Sequence, residues 1–465
     1  PSSVNITFPE QKRNLIYIFL ESMEMTYADK ENGGAFKQNV IPELTQLAQE
    51  NEDFSGKSSK LNGGYSMPGT TWTMGAMFGQ TSGLPLNISI DGNSMDTQDS
   101  FFPGITTLGD ILQNEGYSQT LLIGSEATFG GRKLYFTDHG QYDIMDYNYA
   151  HDNGLIPENY KVWWGYEDEK LFGFAKEKLL ELAQQDNPFN LTMLTVDTHF
   201  EDGYVCDICP DTFGDNQYAN VMACSSRQVK EFIDWVQQQD FAADTTIVIS
   251  GDHQTMDSDF CEDVDKDYER RVYTTYINAD AEKQTEKKRK YTIFDDFPTT
   301  LSAMGAQIEG DRLGLGTNLF SAKETLSEKE GVTAEYNKML KKSKLMEKLS
   351  DIDEEEYRRK EEEKVSPTAD VKIKKTGKDN QVLIKVENIE HLKKGLQSIT
   401  AAVWKNEDQS DLQWVNLAVF ENGICKTKVD LSNYEPMQGE YNVHIYIIDG
   451  KGDAHNVAGT TFEIK

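Results

Sequence analysis

Continuous apolar runs that alternate with amphipathic helical segments constrain the fold of this chain more than any other feature. The runs lack the period-two alternation of a half-exposed strand, so each is typical of a strand buried on both faces. Four such strands, with the polar residues that follow them, are NLIYIFLESME, SQTLLIGS, FNLTMLTVDTHF and TTIVISGDH. Helical segments such as TLGDILQNEGY and SSRQVKEFIDWVQQQ lie between them. The pattern predicts an α/β domain: a mostly parallel sheet with helices on both faces.

The last hundred residues show a different pattern. Short segments such as QVLIKVENI and YNVHIYIID recur at regular spacing, with turn residues between them. This spacing predicts a small all-β sandwich over residues 365–465. A Lys- and Glu-rich stretch over 321–364, which includes YRRKEEEKV, is expected to form a charged helical linker with a solvated surface. The linker separates the sandwich from an α/β domain expected over 1–320.

The net charge and the start of the chain limit the classes of partner. A formal net charge of −32 argues against nucleic acid and against adsorption to an anionic membrane, because both require a basic surface. No apolar run reaches the length of about 18 residues that a membrane-spanning helix needs. The sequence begins with Pro rather than Met, so we expect a trimmed product that has lost an N-terminal membrane anchor.

The cysteines leave two readings open. Cys206 and Cys209 form a single CxxC with no second CxxC and no matching histidine pair, which argues against a structural zinc site. The pair is either a small disulfide in a surface loop or two free thiols. Cys224, in MACSSRQ, is expected to be an ordinary helix residue.

Polar residues that follow the predicted strands are the first candidates for chemistry. Glu21, His199, Asp252 and His253 all stand at such strand ends, and open α/β sheets place their sites at the carboxyl edge. Two carboxylates and an imidazole form a donor set suited to a divalent cation such as Mn²⁺ or Zn²⁺. Glu24 competes with Glu21 for the metal, and Glu21 is preferred because it comes first after its strand.

A threonine-rich turn supplies a candidate nucleophile. In SMPGTTWTMG the Pro-Gly pair predicts a turn, and Thr70 follows it where a helix is expected to begin. Helix capping is the alternative role for this residue. A bound metal lowers the pKa of a hydroxyl and makes it nucleophilic, and a helix N-terminus favours the negative charge that results. Thr71 and Thr73 are the fallback candidates, both interpreted as helix-start residues.

The motifs ESME, PGTTWT, FGGRKLYFTDHGQYDI, TVDTHF and SGDH occur in an order that resembles the sulfatase-like branch of the alkaline phosphatase superfamily. Within that branch the chain is most similar to lipoteichoic acid synthases and phosphoglycerol transferases, over about residues 12–320. The resemblance implies a sulfatase-like fold and one divalent metal ion, with Mn²⁺ preferred and Zn²⁺ or Mg²⁺ as alternatives. It implies that the metal ligands are Glu21, Thr70, Asp252 and His253.

The resemblance also implies roles around the substrate. Thr70 would attack the phosphodiester of phosphatidylglycerol, while Arg132 and His199 would hold the phosphoglycerol headgroup, with His199 also acting in catalysis. Lipoteichoic acid synthases have a tryptophan two residues before this arginine, where this chain has Gly130. Trp163 and Trp164 are expected to pack in the core, with an apolar wall for a sugar or acyl chain as the alternative.

The function implied is metal-dependent transfer of glycerol phosphate from phosphatidylglycerol to a cell-wall glycan or a teichoic-acid-type acceptor, through a threonine-linked intermediate. The expected location is the extracellular face of the membrane or the cell wall, with membrane contact through the lipid substrate. The C-terminal segment resembles immunoglobulin-like (Ig-like) repeats of Gram-positive surface proteins, so a Gram-positive source is expected. The alternatives are a phosphodiesterase or sulfatase-type hydrolase, a phosphoethanolamine transferase, and a wall-binding surface protein without catalytic function.

Overall fold

A computed structural model describes residues 4–419 and 423–465. The chain forms two compact units, one up to Glu354 and one from Glu355 to Lys465. The helices are α1 (Pro42–Glu50), α2 (Thr73–Ser82), α3 (Leu108–Asn114), α4 (Arg132–Asp138), α5 (Tyr147–Asp152), α6 (Asp168–Leu182), α7 (Gln217–Gln237), α8 (Asp296–Ala303), α9 (Leu326–Glu330), α10 (Val332–Met339), α11 (Lys344–Ser350) and α12 (Glu354–Lys364). Within the described residues, no helix is both long and apolar enough to span a bilayer.

The expected boundary at residue 320 does not coincide with the division between the units. Helices α9, α10 and α11 belong to the first unit, so the Lys- and Glu-rich stretch is not a separate linker. The physical reason is contact with the first unit's own residues. Arg289 pairs with Glu328 at 2.9 Å, and Val332 and Met339 pack against a small buried cluster that contains Phe294.

A seven-stranded mixed sheet forms the centre of the first unit. The strands of this unit are β1 (Ile6–Thr7), β2 (Asn14–Leu20), β3 (Gly63–Gly64), β4 (Ser118–Ile123), β5 (Asp143–Met145), β6 (Phe189–Leu194), β7 (Thr245–Gly251), β8 (Val272–Ile277), β9 (Gln307–Ile308), β10 (Arg312–Leu313) and β11 (Gly316–Thr317). The order in the central sheet is β3-β8-β7-β2-β6-β4-β5. The five strands from β7 to β5 are parallel, and β8 and β3 add antiparallel pairings at one edge. The predicted α/β architecture is confirmed.

Strand β2 shows how helices cover both faces of this sheet. Successive side chains of a strand point to opposite faces. Ile16 and Ile18 join the main hydrophobic cluster, to which residues of α1, α6 and α7 also belong. Tyr17, between them, donates a hydrogen bond to Gln80 of α2 at 2.7 Å on the other face. Because β2 is apolar on both faces, it lies in the middle of the sheet.

The strand register brings the ends of β2, β6 and β7 together. Leu20 of β2 lies opposite Gly251 of β7, and Phe19 lies opposite Leu194 of β6. All three strands are parallel, so the residues that follow them emerge at one edge of the sheet. Glu21 and Asp252, which directly follow the paired residues Leu20 and Gly251, lie at this edge.

The C-terminal unit is an all-β sandwich. Its strands are β12 (Thr368–Lys375), β13 (Gln381–Glu390), β14 (Leu396–Trp404), β15 (Gln413–Asn416), β16 (Ala418–Val419), β17 (Cys425–Asp430), β18 (Gly439–Asp449) and β19 (Ala454–Ile464). They form two antiparallel four-stranded sheets, ordered β12-β13-β17-β16 and β15-β14-β18-β19. In β18, buried and half-exposed residues alternate, and residues of both sheets share one hydrophobic cluster. The sandwich predicted from short strands at regular spacing is confirmed.

Candidate active site

Glu21, Asp252 and His253 meet at the carboxyl edge of the central sheet. The Nε2 atom of His253 lies 3.1 Å from a carboxylate oxygen of Glu21 and 3.4 Å from one of Asp252. Each of the three residues offers a ligand atom, and these atoms all lie within 4.8 Å of one another. All three side chains are buried. The structure therefore brings together three of the four metal ligands expected from the sequence.

Backbone hydrogen bonds engage Oδ1 of Asp252 and Nδ1 of His253, and the other polar atoms of these side chains, Oδ2 and Nε2, face each other at 3.4 Å. Oδ1 of Asp252 accepts from the amides of Ser22 (2.8 Å) and His253 (2.6 Å), whereas Oδ2 is buried with no hydrogen-bond donor. Nδ1 of His253 lies 2.7 Å from the carbonyl of Gln254, so Nε2 is directed to the carboxylates. A buried carboxylate oxygen without a donor is costly. A divalent cation would satisfy it, and these residues fit one.

The charges of the cluster point to the same conclusion. Burial raises the pKa of Asp252 well above its ordinary value, and the charge of Glu21 raises it further. Burial also acts to raise the pKa of Glu21, but the charge of His253 outweighs it and holds that pKa below its usual range. Burial would lower the pKa of His253, but the two carboxylates raise it to about 10. The cluster thus attracts one positive charge, which a bound cation would supply in place of the imidazolium.

Thr73 brings a hydroxyl to this cluster. It is the first residue of α2, and its Oγ1 donates to Glu21 Oε2 at 2.8 Å while lying 3.5 Å from Nε2 of His253. The N-cap residue is Trp72, whose side chain makes no capping hydrogen bond, and the Thr73 hydroxyl donates to Glu21 rather than capping the helix. A hydroxyl in this position can bind the same cation as the carboxylates and attack a substrate beside it.

The structure does not bring Thr70 into the site, which corrects the expectation from the sequence. Its hydroxyl accepts from the amide of Met67 at 2.9 Å and donates to the carbonyl of Met67 at 2.8 Å. The side chain is fully buried in the turn before the helix. Thr70 therefore closes a local turn, while Thr73, the fallback candidate, occupies the position that the resemblance implied for Thr70. Thr71 is exposed.

A cavity of about 400 Å³ opens beside the cluster. Its polar lining includes Glu21, Thr73, Arg132 and His199. The cavity therefore places Glu21 of the donor set and the Thr73 hydroxyl beside both residues that were expected to hold a headgroup. A volume of this size accommodates a phosphorylated small group rather than a large polymer segment.

Arg132 and His199 are held by their surroundings. Arg132 starts α4; its Nη2 donates to the carbonyl of Glu126 at 2.9 Å, and its buried Nε has no partner. Burial lowers the pKa of Arg132 to about 10, although the charge of Glu21 opposes this. The ring of His199 lies 5.0 Å from the ring of Trp164 and stacks on Phe200 at 4.9 Å. An arginine with a free buried donor suits an anionic substrate.

Three aromatic side chains belong to the apolar part of the cavity lining, together with Leu194 and Val196. Phe129, Trp163 and Trp164 are 55%, 38% and 47% exposed, and all three line the cavity. The expectation that the two tryptophans pack in the core is wrong, because both sit on a surface loop rather than in a strand or helix. Phe129 was missed by the sequence reasoning. Gly130, at the position where lipoteichoic acid synthases have a tryptophan, has φ +68°, in the left-handed region. The indoles that line the cavity belong to Trp163 and Trp164.

Glu24, the competitor of Glu21, is committed elsewhere. Its carboxylate pairs with Arg270 at 2.6 Å and accepts hydrogen bonds from Thr26 and Tyr27. These partners compensate its charge fully, so it needs no cation. The geometry therefore favours Glu21 as the ligand.

The fold and the site together define an α/β enzyme scaffold with a mostly parallel sheet and a metal-type donor set at its carboxyl edge. The chain belongs to the Sulfatase family, whose sequence profile matches residues 13–306. A second profile, the GBS Bsp-like repeat, matches residues 371–462. The resemblance found from the sequence motifs is confirmed.

Individual relatives show which members of the Sulfatase family this chain is similar to. The chain is 32% identical over 331 residues to Phosphoglycerol transferase I from Escherichia coli (strain 55989 / EAEC) and from Shigella boydii serotype 18. Each match covers 69% of this chain and 41% of the relative, so the match spans less than half of those proteins. The lipoteichoic acid synthase LtaP from Listeria monocytogenes shares the fold, with a TM-score of 0.51 and 18% identity over 68% of this chain and 79% of that one.

Proposed function

We propose that this chain is a metal-dependent phosphoglycerol transferase in which Thr73, rather than Thr70, is the attacking residue. The observation that carries the proposal is the hydrogen bond of 2.8 Å between the Thr73 hydroxyl and Glu21, inside a cluster that fits a divalent cation. Similarity to proteins named Phosphoglycerol transferase I supports the reaction class.

The donor is proposed to be phosphatidylglycerol and the acceptor a glycan hydroxyl of the cell envelope. The exposed aromatic lining gives the glycerol and the start of an acyl chain an apolar surface, while Arg132 matches the charge of the phosphodiester. Such substrates place the reaction at the outer face of the membrane, with contact through the lipid itself.

Glu21, Asp252, His253 and Thr73 would hold the cation, for which Mn²⁺ is the first choice and Zn²⁺ or Mg²⁺ are alternatives. When bound, the cation lowers the pKa of the hydroxyl that attacks and offsets charge on the phosphate. The remaining work belongs to side chains of this chain. Thr73 Oγ1, whose hydroxyl lies 2.8 Å from Glu21 Oε2, loses its proton to solvent and forms a bond to phosphorus while the bond from phosphorus to the diacylglycerol oxygen breaks.

His199 and Arg132 complete the first step and serve the second. His199 gives a proton to the departing diacylglycerol oxygen, and Arg132 balances charge on the phosphoryl oxygens. The product of this step is glycerol phosphate esterified to Thr73. In the second step an acceptor hydroxyl gives its proton to His199 and attacks phosphorus, and the oxygen of Thr73 leaves and takes up a proton from solvent. The acceptor then carries the glycerol phosphate, and Thr73 is regenerated.

The test is intact-protein mass spectrometry after incubation with phosphatidylglycerol and Mn²⁺. We expect an adduct of one phosphoglycerol unit on Thr73 in the unmodified chain and none in Thr73→Ala, whose turnover falls by at least about a thousandfold. Thr71→Ala is the matched control, since that side chain is exposed next to the site. An adduct that persists in Thr73→Ala and disappears in Thr70→Ala would overturn the assignment.

Product analysis separates transfer from hydrolysis on the same scaffold. With a glycan acceptor present, transfer yields glycerophosphoglycan, whereas a phosphodiesterase yields free glycerol phosphate. Release of free glycerol phosphate alone, with acceptor in excess, would leave the threonine chemistry intact and replace the transferase by a hydrolase.

A further inference from the structure

A group of three thiols lies apart from the proposed catalytic cluster. The sulfur of Cys206 lies 3.3 Å from that of Cys209 and 3.8 Å from that of Cys224. All three sulfurs lie within 4.8 Å of one another. Cys206 and Cys224 are buried, and Cys209 is partly exposed. The CxxC pair belongs to the loop that follows His199, whereas Cys224 is on α7.

We propose that Cys206, Cys209 and Cys224 bind one thiophilic metal ion of the Zn²⁺ class, which fastens the loop after His199 to α7. The expectation against a structural zinc site rested on the lack of a second CxxC or a histidine pair. The fold supplies the missing ligand from a helix that begins eight residues after Cys209. Three protein ligands leave the fourth position of a tetrahedral ion to water.

The spacing of the sulfurs suits coordination. Zn–S bonds of about 2.3 Å in a tetrahedral site place neighbouring sulfurs about 3.8 Å apart, whereas bonded sulfurs lie about 2.05 Å apart. The distances of 3.3 and 3.8 Å from Cys206 agree better with the first arrangement. The amide of Cys209 donates to the carbonyl of Cys206 at 3.1 Å, which closes the turn that points both thiols the same way.

Donors around Cys224 complete the site. The side-chain amide of Gln228 lies 3.3 Å from the Cys224 sulfur, and Nη2 of Arg227 lies 3.8 Å from it. The same Nη2 donates to the carbonyl of Ile208 at 2.7 Å, so Arg227 joins the helix to the CxxC turn. Donors and a positive charge beside a ligand stabilise the thiolate that a metal requires. On binding, the thiols lose their protons to solvent and three S–metal bonds form.

The two proposed metal sites differ in chemistry. The cluster at Glu21 offers carboxylate oxygens and one imidazole, which suit Mn²⁺ or Mg²⁺, while three thiolates select a softer ion. A chain that holds both would contain two kinds of metal with separate roles. The thiol site stabilises the loop that carries His199, and the other site serves the reaction.

The test uses the full chain, purified under reducing conditions and stripped with a chelator. It is then loaded with Zn²⁺, or with Co²⁺ as a spectroscopic probe. We expect one zinc ion to remain per chain after dialysis against excess Mn²⁺, a sulfur-to-cobalt absorption band in the near ultraviolet, and a rise of the unfolding midpoint with zinc. Cys209→Ser, at a partly exposed position, should lose all three effects while remaining folded. Cys261→Ser is the matched control, because that thiol lies in the same unit outside the group.

Two results would overturn the proposal. One is equal zinc retention and the same cobalt band in Cys209→Ser. The other is a reduced chain that takes up no zinc and that, on exposure to air, forms a Cys206–Cys209 disulfide. Glu21→Gln separates this proposal from the proposed function: it should abolish transfer while the cobalt band from the thiols stays unchanged. Loss of the band in Cys209→Ser with a failed transferase assay would reject the function alone.

Discussion

The two units treat a buried carboxylate in opposite ways. In the first unit, Asp252 is buried with one oxygen lacking any donor, beside Glu21 and His253. In the second unit, Asp449 is the one buried charged side chain among its described residues. Its Oδ1 accepts from the amides of Lys451 and Asp453, and its Oδ2 lies 2.9 Å from Nε2 of His455. A buried carboxylate whose two oxygens both have hydrogen-bond partners stabilises a turn, whereas one with an oxygen that lacks a donor indicates a ligand-binding site.

The contrast extends to the strands that carry these residues. Strands of the sandwich alternate buried and half-exposed residues, and the polar ones face outward. Strands β2 and β7 are buried almost throughout, so polar chemistry is confined to the residues just beyond their ends. In the first unit, the buried polar residues at one edge of the sheet lower the local stability and form a reactive centre.

The largest effect is expected for Asp252→Asn. The substitution removes a carboxylate from the metal cluster, so transfer activity should fall by about a thousandfold or more, with loss of Mn²⁺ binding in calorimetry. The metal-free variant should unfold at an unchanged or higher temperature, because a buried carboxylate whose Oδ2 lacks a hydrogen-bond donor is replaced by a neutral amide. Asp449→Asn is the counterpart and should keep full activity. A metal-free Asp252→Asn chain that unfolds earlier would contradict the contrast.

The pH dependence of metal binding is the second effect. The pKa of His253 is raised to about 10 without metal, so its imidazole is protonated at neutral pH and a cation must displace that proton. Affinity for Mn²⁺ should therefore rise with pH, by up to about tenfold per pH unit below the pKa. Calorimetry in buffers of different ionisation enthalpy should show proton release on binding. Affinity that is flat between about pH 6 and pH 8 would contradict this account.

A third, smaller effect is expected at the cavity wall. Trp164→Ala should raise the KM for a phosphatidylglycerol analogue by about tenfold, with a smaller change in kcat, because the indole offers an apolar contact surface. Trp414→Ala is the matched control, since that indole is exposed in the sandwich. Equal KM values for both variants would show that the wall does not touch the donor.

The smallest effect concerns Asp449 itself. Its hydrogen bond with His455 lowers its pKa to about 2, so its contribution to stability is present above the unfolded value near 3.8 and is lost as the pH falls toward 2. Asp449→Asn should lower the unfolding midpoint of the sandwich by a few degrees at neutral pH. The difference from the unmodified chain should vanish in acid, as monitored by circular dichroism. A constant difference across the pH range would argue against the hydrogen bond between Asp449 and His455.

Part of the site could be predicted from the sequence because parallel strands share an edge. Continuous apolar runs located β2 and β7, and the residues that follow them, Glu21, Asp252 and His253, meet as expected. The shared edge of the parallel strands does not predict which threonine hydroxyl faces the cluster. Whether Thr70 or Thr73 faces the cluster depends on where α2 begins, and the hydroxyl–backbone bonds of Thr70 delay that start by a turn.

Other features depended on tertiary packing that no local pattern records. Cys224 meets the CxxC turn only because α7 passes beside that loop, so its spacing in sequence carried no signal. Trp163 and Trp164 have the composition of a core segment, yet they lie on a loop at the cavity. Hydrophobicity predicts burial on average, and exposed aromatic groups around a cavity are the exceptions that indicate binding.

The pairing of Leu20 with Gly251 has a consequence for assembly of the chain. A slip of one residue between these strands would turn each side chain to the opposite face and shift Glu21 by about 3.3 Å relative to Asp252. A cation that is bound by both carboxylates would therefore stabilise only the sheet with the correct strand register. Binding of the cation would favour the native strand register during folding as well as prepare the site for the reaction.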